Sequence, residues 1–109
     1  MDASEYERRV EEAFNRIYDL FEDIDVEDAD LETSAGVVRI DFRGGGTVVI
    51  NTQRPTQQIW LAGGSRGWHF AYDAGGDRWL DDRGGADELF AVIARLTRDA
   101  IGVSLDGID

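Results

Sequence analysis

Eight carboxylates and no basic residue lie between Ile17 and Val38: Asp19, Glu22, Asp23, Asp25, Glu27, Asp28, Asp30 and Glu32. Clustered carboxylate oxygen suits hard cations. The same charges attract a basic protein surface and steer its approach. Residues 1–32 carry 13 acids against Arg8, Arg9 and Arg16, a net of −10, whereas residues 33–109 carry 10 acids against 8 arginines, a net of −2. A bias serving solubility alone would be spread more evenly. The cluster is a local device.

The rest of the composition narrows the chemistry. There is no cysteine, which removes disulfides, thiolate catalysis and sulfur-ligated zinc or iron–sulfur sites, and His69 is the only histidine. A metal site must then be built mostly from oxygen. Without a closed cage, carboxylates along one exposed face bind cations weakly and unselectively. No EF-hand loop is present, and nothing indicates the buried, raised-pKa carboxyl of a two-carboxylate hydrolase. At a net charge of −12 the chain repels phosphate backbones, so nucleic acid is not an expected partner. The plainer alternative for the cluster is a solvated acidic surface.

Asn51–Ala62 is the second unusual stretch. Pro55 interrupts any ladder, so strands end near Thr52 and restart near Thr56. Period-2 alternation turns Ile59 and Leu61 to one face and Gln58 and Trp60 to the other. With Asn51 and Gln53, Trp60 makes an amphipathic patch of the kind that anchors interfaces. The alternative is that Trp60 packs under a loop or an edge residue. In a later run Trp68, Phe70 and Tyr72 share a face, leaving His69 and Ala71 on the other. Trp68 and Trp79 read as core aromatics.

These residues need elements to hold them. Tyr6, Val10, Ala13, Phe14, Ile17, Leu20, Phe21 and Ile24 recur at helical spacing after candidate caps Asp2 and Ser4, which predicts a helix over about 4–24. Asp19, Glu22 and Asp23 then project from its solvent face. Acids at a helix C-terminus oppose the macrodipole, and Asp19 and Asp23 repel as an i,i+4 pair, together costing on the order of 2 kcal/mol. Frustration of this kind is expected at functional sites. Glycine pairs and triplets punctuate strand-like runs at about 37–43, 47–52, 57–62, 67–73 and 77–82, with a further short run at 31–34. Leu89, Phe90, Ile93, Leu96, Ala100 and Ile101 form a second helical stripe over 87–101, stopped by Gly102. The expected fold is α+β: a two-layer sandwich, with an antiparallel sheet of five to six strands and N- and C-terminal helices packed on one face. Residues 1–109 read as one domain. No apolar run approaches a membrane span and the first residues are acidic, so a soluble, cytoplasmic protein is expected.

The segment Asn-x-Gln-x-Pro-x-x-Gln-Ile-Trp-Leu-Ala at 51–62 resembles the signature of the frataxin family, specifically its bacterial, CyaY-type members. The resemblance extends to Ser4-Glu5-Tyr6, the acidic run 19–32, Gly67-Trp68-His69-Phe70, Asp77-Arg78-Trp79 and Asp82-Arg83, and covers nearly the whole chain. It implies the same αβ sandwich and a role in iron–sulfur cluster assembly, with docking on a cysteine desulfurase and its scaffold protein. The family's iron ridge maps onto Asp19, Glu22, Asp23 and Asp25, and further onto Glu27, Asp28 and Asp30. Iron, Fe²⁺ or Fe³⁺, would be weakly held there, and other hard divalent cations could compete. The sheet-surface contacts map onto Asn51, Gln53, Gln58 and Trp60, with His69 on a neighbouring strand. Two departures stand out. Tyr18-Asp19 occupies a place where many bacterial relatives carry two consecutive acids, and the stretch 72–76 is longer than in relatives.

Three functions follow from these readings. The first is a non-enzymatic iron-binding adaptor of the desulfurase, monomeric or forming iron-dependent oligomers. The second is a ferroxidase or iron-storage protein, although a di-iron carboxylate site usually includes Glu-x-x-His, absent here. The third is an acidic docking module without a physiological metal, such as a mimic of nucleic acid, which leaves Asn51–Ala62 without a role.

Overall fold

The computed structural model describes residues 1–84 and 87–105. Helix α1 spans Ala3–Phe21, followed by strands β1 (Ala29–Ser34), β2 (Val37–Phe42), β3 (Thr47–Gln53), β4 (Gln58–Gly63), β5 (Arg66–Asp73) and β6 (Arg78–Asp81), and helix α2 spans Leu89–Ile101. The strands form one antiparallel meander in the order β1-β2-β3-β4-β5-β6. Both helices bury their apolar stripes against the same sheet face. Val38, Ile40, Ile50, Ile59 and Phe70 have no exposed surface there, and they meet Ile17 of α1 and Leu89 and Val92 of α2. This is the two-layer sandwich expected from the sequence, with six strands. No helix among the described residues is long and apolar enough to cross a membrane.

Asp2 caps α1, its carboxylate accepting from the Glu5 N–H at 2.8 Å. The other end departs from expectation. The helix closes at Phe21 rather than 24, with the Glu22 N–H reaching back only to the Asp19 carbonyl at 3.3 Å. Its last turn holds no basic residue, so nothing there compensates the negative end of the dipole. The chain instead turns at Asp25, whose carboxylate accepts from the Glu27 N–H at 2.9 Å. That early turn lets β1 begin at Ala29, two residues before the apolar alternation suggested. Glu22 therefore becomes the helix cap and Asp23 lies on the connection, rather than both on the helix face, and Asp25 forms the turn that follows.

At the far end of the chain, α2 stops at Gly102, whose φ of 71° is left-handed. Val103, Ser104 and Leu105 then line one recess together with Leu20 and Ile24 beside the end of α1. Leu105 is buried in the core. The start of the tail thus covers the gap between the helix ends, and residues 106–109 lie outside the described part. The hairpin after Phe70 keeps β5 paired to β6 as far as Asp73, which faces Arg78 in register.

Candidate cation ridge and docking face

The end of α1 and the connection to β1 present Asp19, Glu22, Asp23, Asp25 and Glu27 as exposed side chains, with Asp28 and Asp30 half-buried. Tyr18, in the place of a second acid, packs against the core instead. Asp19 and Asp23 share a shallow recess with Arg16 and the Val103–Leu105 segment. Among the described residues no three Asp, Glu or His side chains converge in a way that could hold a metal ion. The acids line a surface and do not build a cage.

Two of these acids have neighbours that local sequence did not reveal. Arg43, in the turn between β2 and β3, pairs with the Asp28 carboxylate. Asp30 faces Asp41 directly across the β1–β2 ladder, a like-charge juxtaposition that ordinarily destabilises. Arg39 relieves it by bonding the Asp41 carboxylate at 3.0, 3.1 and 3.2 Å, and Thr47 Oγ1 donates to the same group at 2.8 Å. The Arg39 bonds, then the Thr47 bond, hold the Asp41 carboxyl below its ordinary 3.8. Glu32 sits opposite Arg39 in register. The free charge of the ridge therefore concentrates in Asp19, Glu22, Asp23, Asp25, Glu27 and Asp30, while Asp28 is already paired.

The second group of residues meets on the outer face of the sheet. Asn51, Trp60 and His69 are cross-strand neighbours in one row, and Gln53 and Gln58 are paired in the next. Trp60 lies against a ring rather than under a loop: its indole stacks on the His69 imidazole, with centroids 4.1 Å apart and planes at 16°. The Trp60 Nε1–H donates to Gln58 Oε1 at 2.9 Å, and Gln58 Nε2 donates to Asp82 Oδ2 at 2.9 Å. His69 Nδ1 is 3.8 Å from that same Asp82 oxygen. Trp60 is half-buried by this arrangement. Asp82 was not singled out from the sequence as a site residue, because it follows β6 and only the fold returns it beside β5. Trp68 and Trp79 are core aromatics, as expected.

The two surfaces are separate. Ridge strand β1 is two strands from β3, which carries Asn51 and Gln53, and three from β4, which carries Gln58 and Trp60, about 10 and 14 Å at normal strand spacing. His69, another strand further on, belongs to the patch and not to the ridge.

Fold and surface together define an αβ sandwich whose distinctive chemistry lies on open faces, an acidic helix end and a Trp-bearing sheet. The model of the frataxin-like domain family matches residues 1–103. The iron–sulfur cluster assembly protein CyaY of Azotobacter vinelandii is 41% identical over 97 residues, 89% of this chain and 86% of that protein. Its namesake from Pseudomonas syringae pv. tomato is 42% identical over 91 residues, 83% and 80% of the two chains. Among solved structures, a frataxin from Psychromonas ingrahamii superimposes with a TM-score of 0.85 at 26% identity, covering 97% of each chain. The trimeric frataxin of Saccharomyces cerevisiae, complexed with ferrous iron, gives 0.73 at 28% identity over 87% of each chain. The chain belongs to the frataxin family.

Proposed function

We propose that this protein is an iron-binding adaptor of iron–sulfur cluster assembly. Its relatives are named as assembly proteins, and a yeast neighbour is complexed with ferrous iron. The ridge acids Asp19, Glu22, Asp23, Asp25, Glu27 and Asp30, with Asp28 in the second rank, hold iron as cargo and dock on the basic surface of a cysteine desulfurase. The patch of Asn51, Gln53, Gln58, Trp60 and His69 meets the scaffold protein. Residues 1–109 act as one domain, without catalysing a reaction of their own, in the cytoplasm.

One observation carries the reading: six carboxylates without an ionic partner within 4 Å, among the described residues, line one end of the molecule without converging. Such a surface gives weak, exchangeable binding, which suits an ion that must be handed on. A ferroxidase would want fixed, converging ligands, so the adaptor is favoured over it.

The direct experiment is a heteronuclear NMR titration of the metal-free protein with Fe²⁺ under anaerobic conditions, with Ca²⁺ in parallel. Broadening or shifts confined to residues 18–32 are expected with Fe²⁺, and shifts in the same place with Ca²⁺. No response there at millimolar metal would remove iron from the proposal. Desulfurase affinity measured against salt tests the docking half. It should fall steeply as exposed charges are screened, and a flat dependence would move docking off the ridge.

A further inference from the structure

The chain between β3 and β4 is fastened by one buried side chain from the opposite layer. Tyr6, in the first turns of α1 and 2% exposed, donates its hydroxyl proton to the Gln58 carbonyl at 2.6 Å. The same oxygen accepts the Gln53 N–H at 3.2 Å. Gln53 and Gln58 close the two ends of the turn that holds Pro55, and they face each other in register. Inside the turn, Gln57 adopts left-handed φ and ψ of 53° and 49°, a conformation that disfavours a side chain and persists only where its surroundings enforce it. Glu7, the next residue of α1, adds a second tie by accepting from Arg54 Nε at 2.6 Å.

Gln58 is the hinge between this tie and the sheet face. Its backbone carbonyl is held from the core side by Tyr6, while its side chain bonds the Trp60 indole N–H and the Asp82 carboxylate on the outer side. Tyr6 itself is fixed edge-on against Trp79, with ring centroids 6.3 Å apart.

We propose that Tyr6 is a positioning residue for the docking face: by holding Gln58 it sets the rotamer of Trp60 presented to the scaffold protein. The inference rests on the reading of the Asn51–His69 patch as a docking surface. Its consequence is specific. Loss of a single hydroxyl on the helix side of the sheet alters recognition on the opposite side, with the ridge untouched.

The test compares Tyr6→Phe with Trp60→Ala and with Val10→Ala, a core truncation one turn further along α1. Affinity for the scaffold protein, in the presence of the desulfurase, is read well below the melting temperature of all variants. The indole N–H signals of Trp60, Trp68 and Trp79 are followed by NMR. For Tyr6→Phe, which loses both bonds of the hydroxyl, the affinity is expected to fall on the order of fivefold as Trp60 leaves its docking rotamer. The Trp60 indole signal should move while that of Trp68, bonded to Asp87 at 3.0 Å, stays. Val10→Ala should lower stability and leave both readouts unchanged. Wild-type affinity and an unmoved Trp60 signal in Tyr6→Phe, with binding lost in Trp60→Ala, overturn the positioning role alone. Equal shifts of all three indole signals overturn it too, because they mark a general loosening. Full binding by Trp60→Ala brings down the docking face, and the positioning role with it.

Discussion

Arg43 and Asp28 are joined twice at the open end of the sheet: guanidinium to carboxylate, and Arg43 N–H to the Asp28 carbonyl at 2.9 Å. The pair pins the β2–β3 turn to the acidic connection and places a cation beside the ridge. Removing it returns one carboxylate to the surface and deletes an opposing charge. Arg43→Ala is therefore expected to tighten Fe²⁺ or Ca²⁺ binding by about two- to fivefold at low salt, as measured by NMR titration, with the gain shrinking at high salt. Unchanged affinity would mean that cations bind away from Asp28.

The end of α1 sets stability against charge. Glu22→Lys puts a cation where the helix dipole favours one, and should raise stability by about 0.5–1 kcal/mol in low salt. Chemical denaturation checks this. The same variant should weaken both cation and desulfurase binding. A variant that is more stable and equally competent would show that Glu22 lies outside the working part of the ridge.

Asp41 gives the fold an acid dependence. Because the Arg39 bonds, and then that of Thr47, hold its folded pKa below 3.8, its contribution to stability is fully present above the unfolded value. It is lost as pH falls from about 4 through the lower folded value. In Arg39→Ala the carboxyl should titrate higher, which carboxyl-carbon NMR can follow. The acid-induced loss of stability below about pH 4 should become shallower. An unmoved titration would mean that Thr47 alone holds the group.

At Gly63 the Leu96 side chain of α2 comes close against the sheet backbone. A Cβ there would sit 2.9 Å from Val48 Cγ2 and 3.2 Å from Leu96 Cδ1. Gly63→Ala is expected to cost about 1–3 kcal/mol through overpacking. Denaturation of the double variant with Leu96→Ala should show a smaller loss than the sum of the two single changes. Strict additivity would place the strain elsewhere.

Several features were legible in the chain before it was folded. The 3.6-residue stripes from Tyr6 to Phe21 and from Leu89 to Ile101, with the alternation of Gln58, Ile59, Trp60 and Leu61, determined the two helices, the strand faces and the sandwich, because each periodicity turns its apolar residues to one face that must be buried. The acidic run was equally plain, since charge is a property of composition. Tertiary structure decided the rest. Only the fold brings Arg43 to Asp28, sets Asp30 against Asp41, stacks His69 on Trp60 and carries the Tyr6 hydroxyl to residues 53 and 58. These contacts join residues distant in sequence, so their geometry depends on sheet register and layer packing rather than on any local pattern. The same reason governs the end of α1. Its apolar stripe continues to Ile24, but uncompensated charge and the Asp25 turn close the helix at Phe21, and that moves Glu22 and Asp23 from a helix face to its cap and the loop beyond.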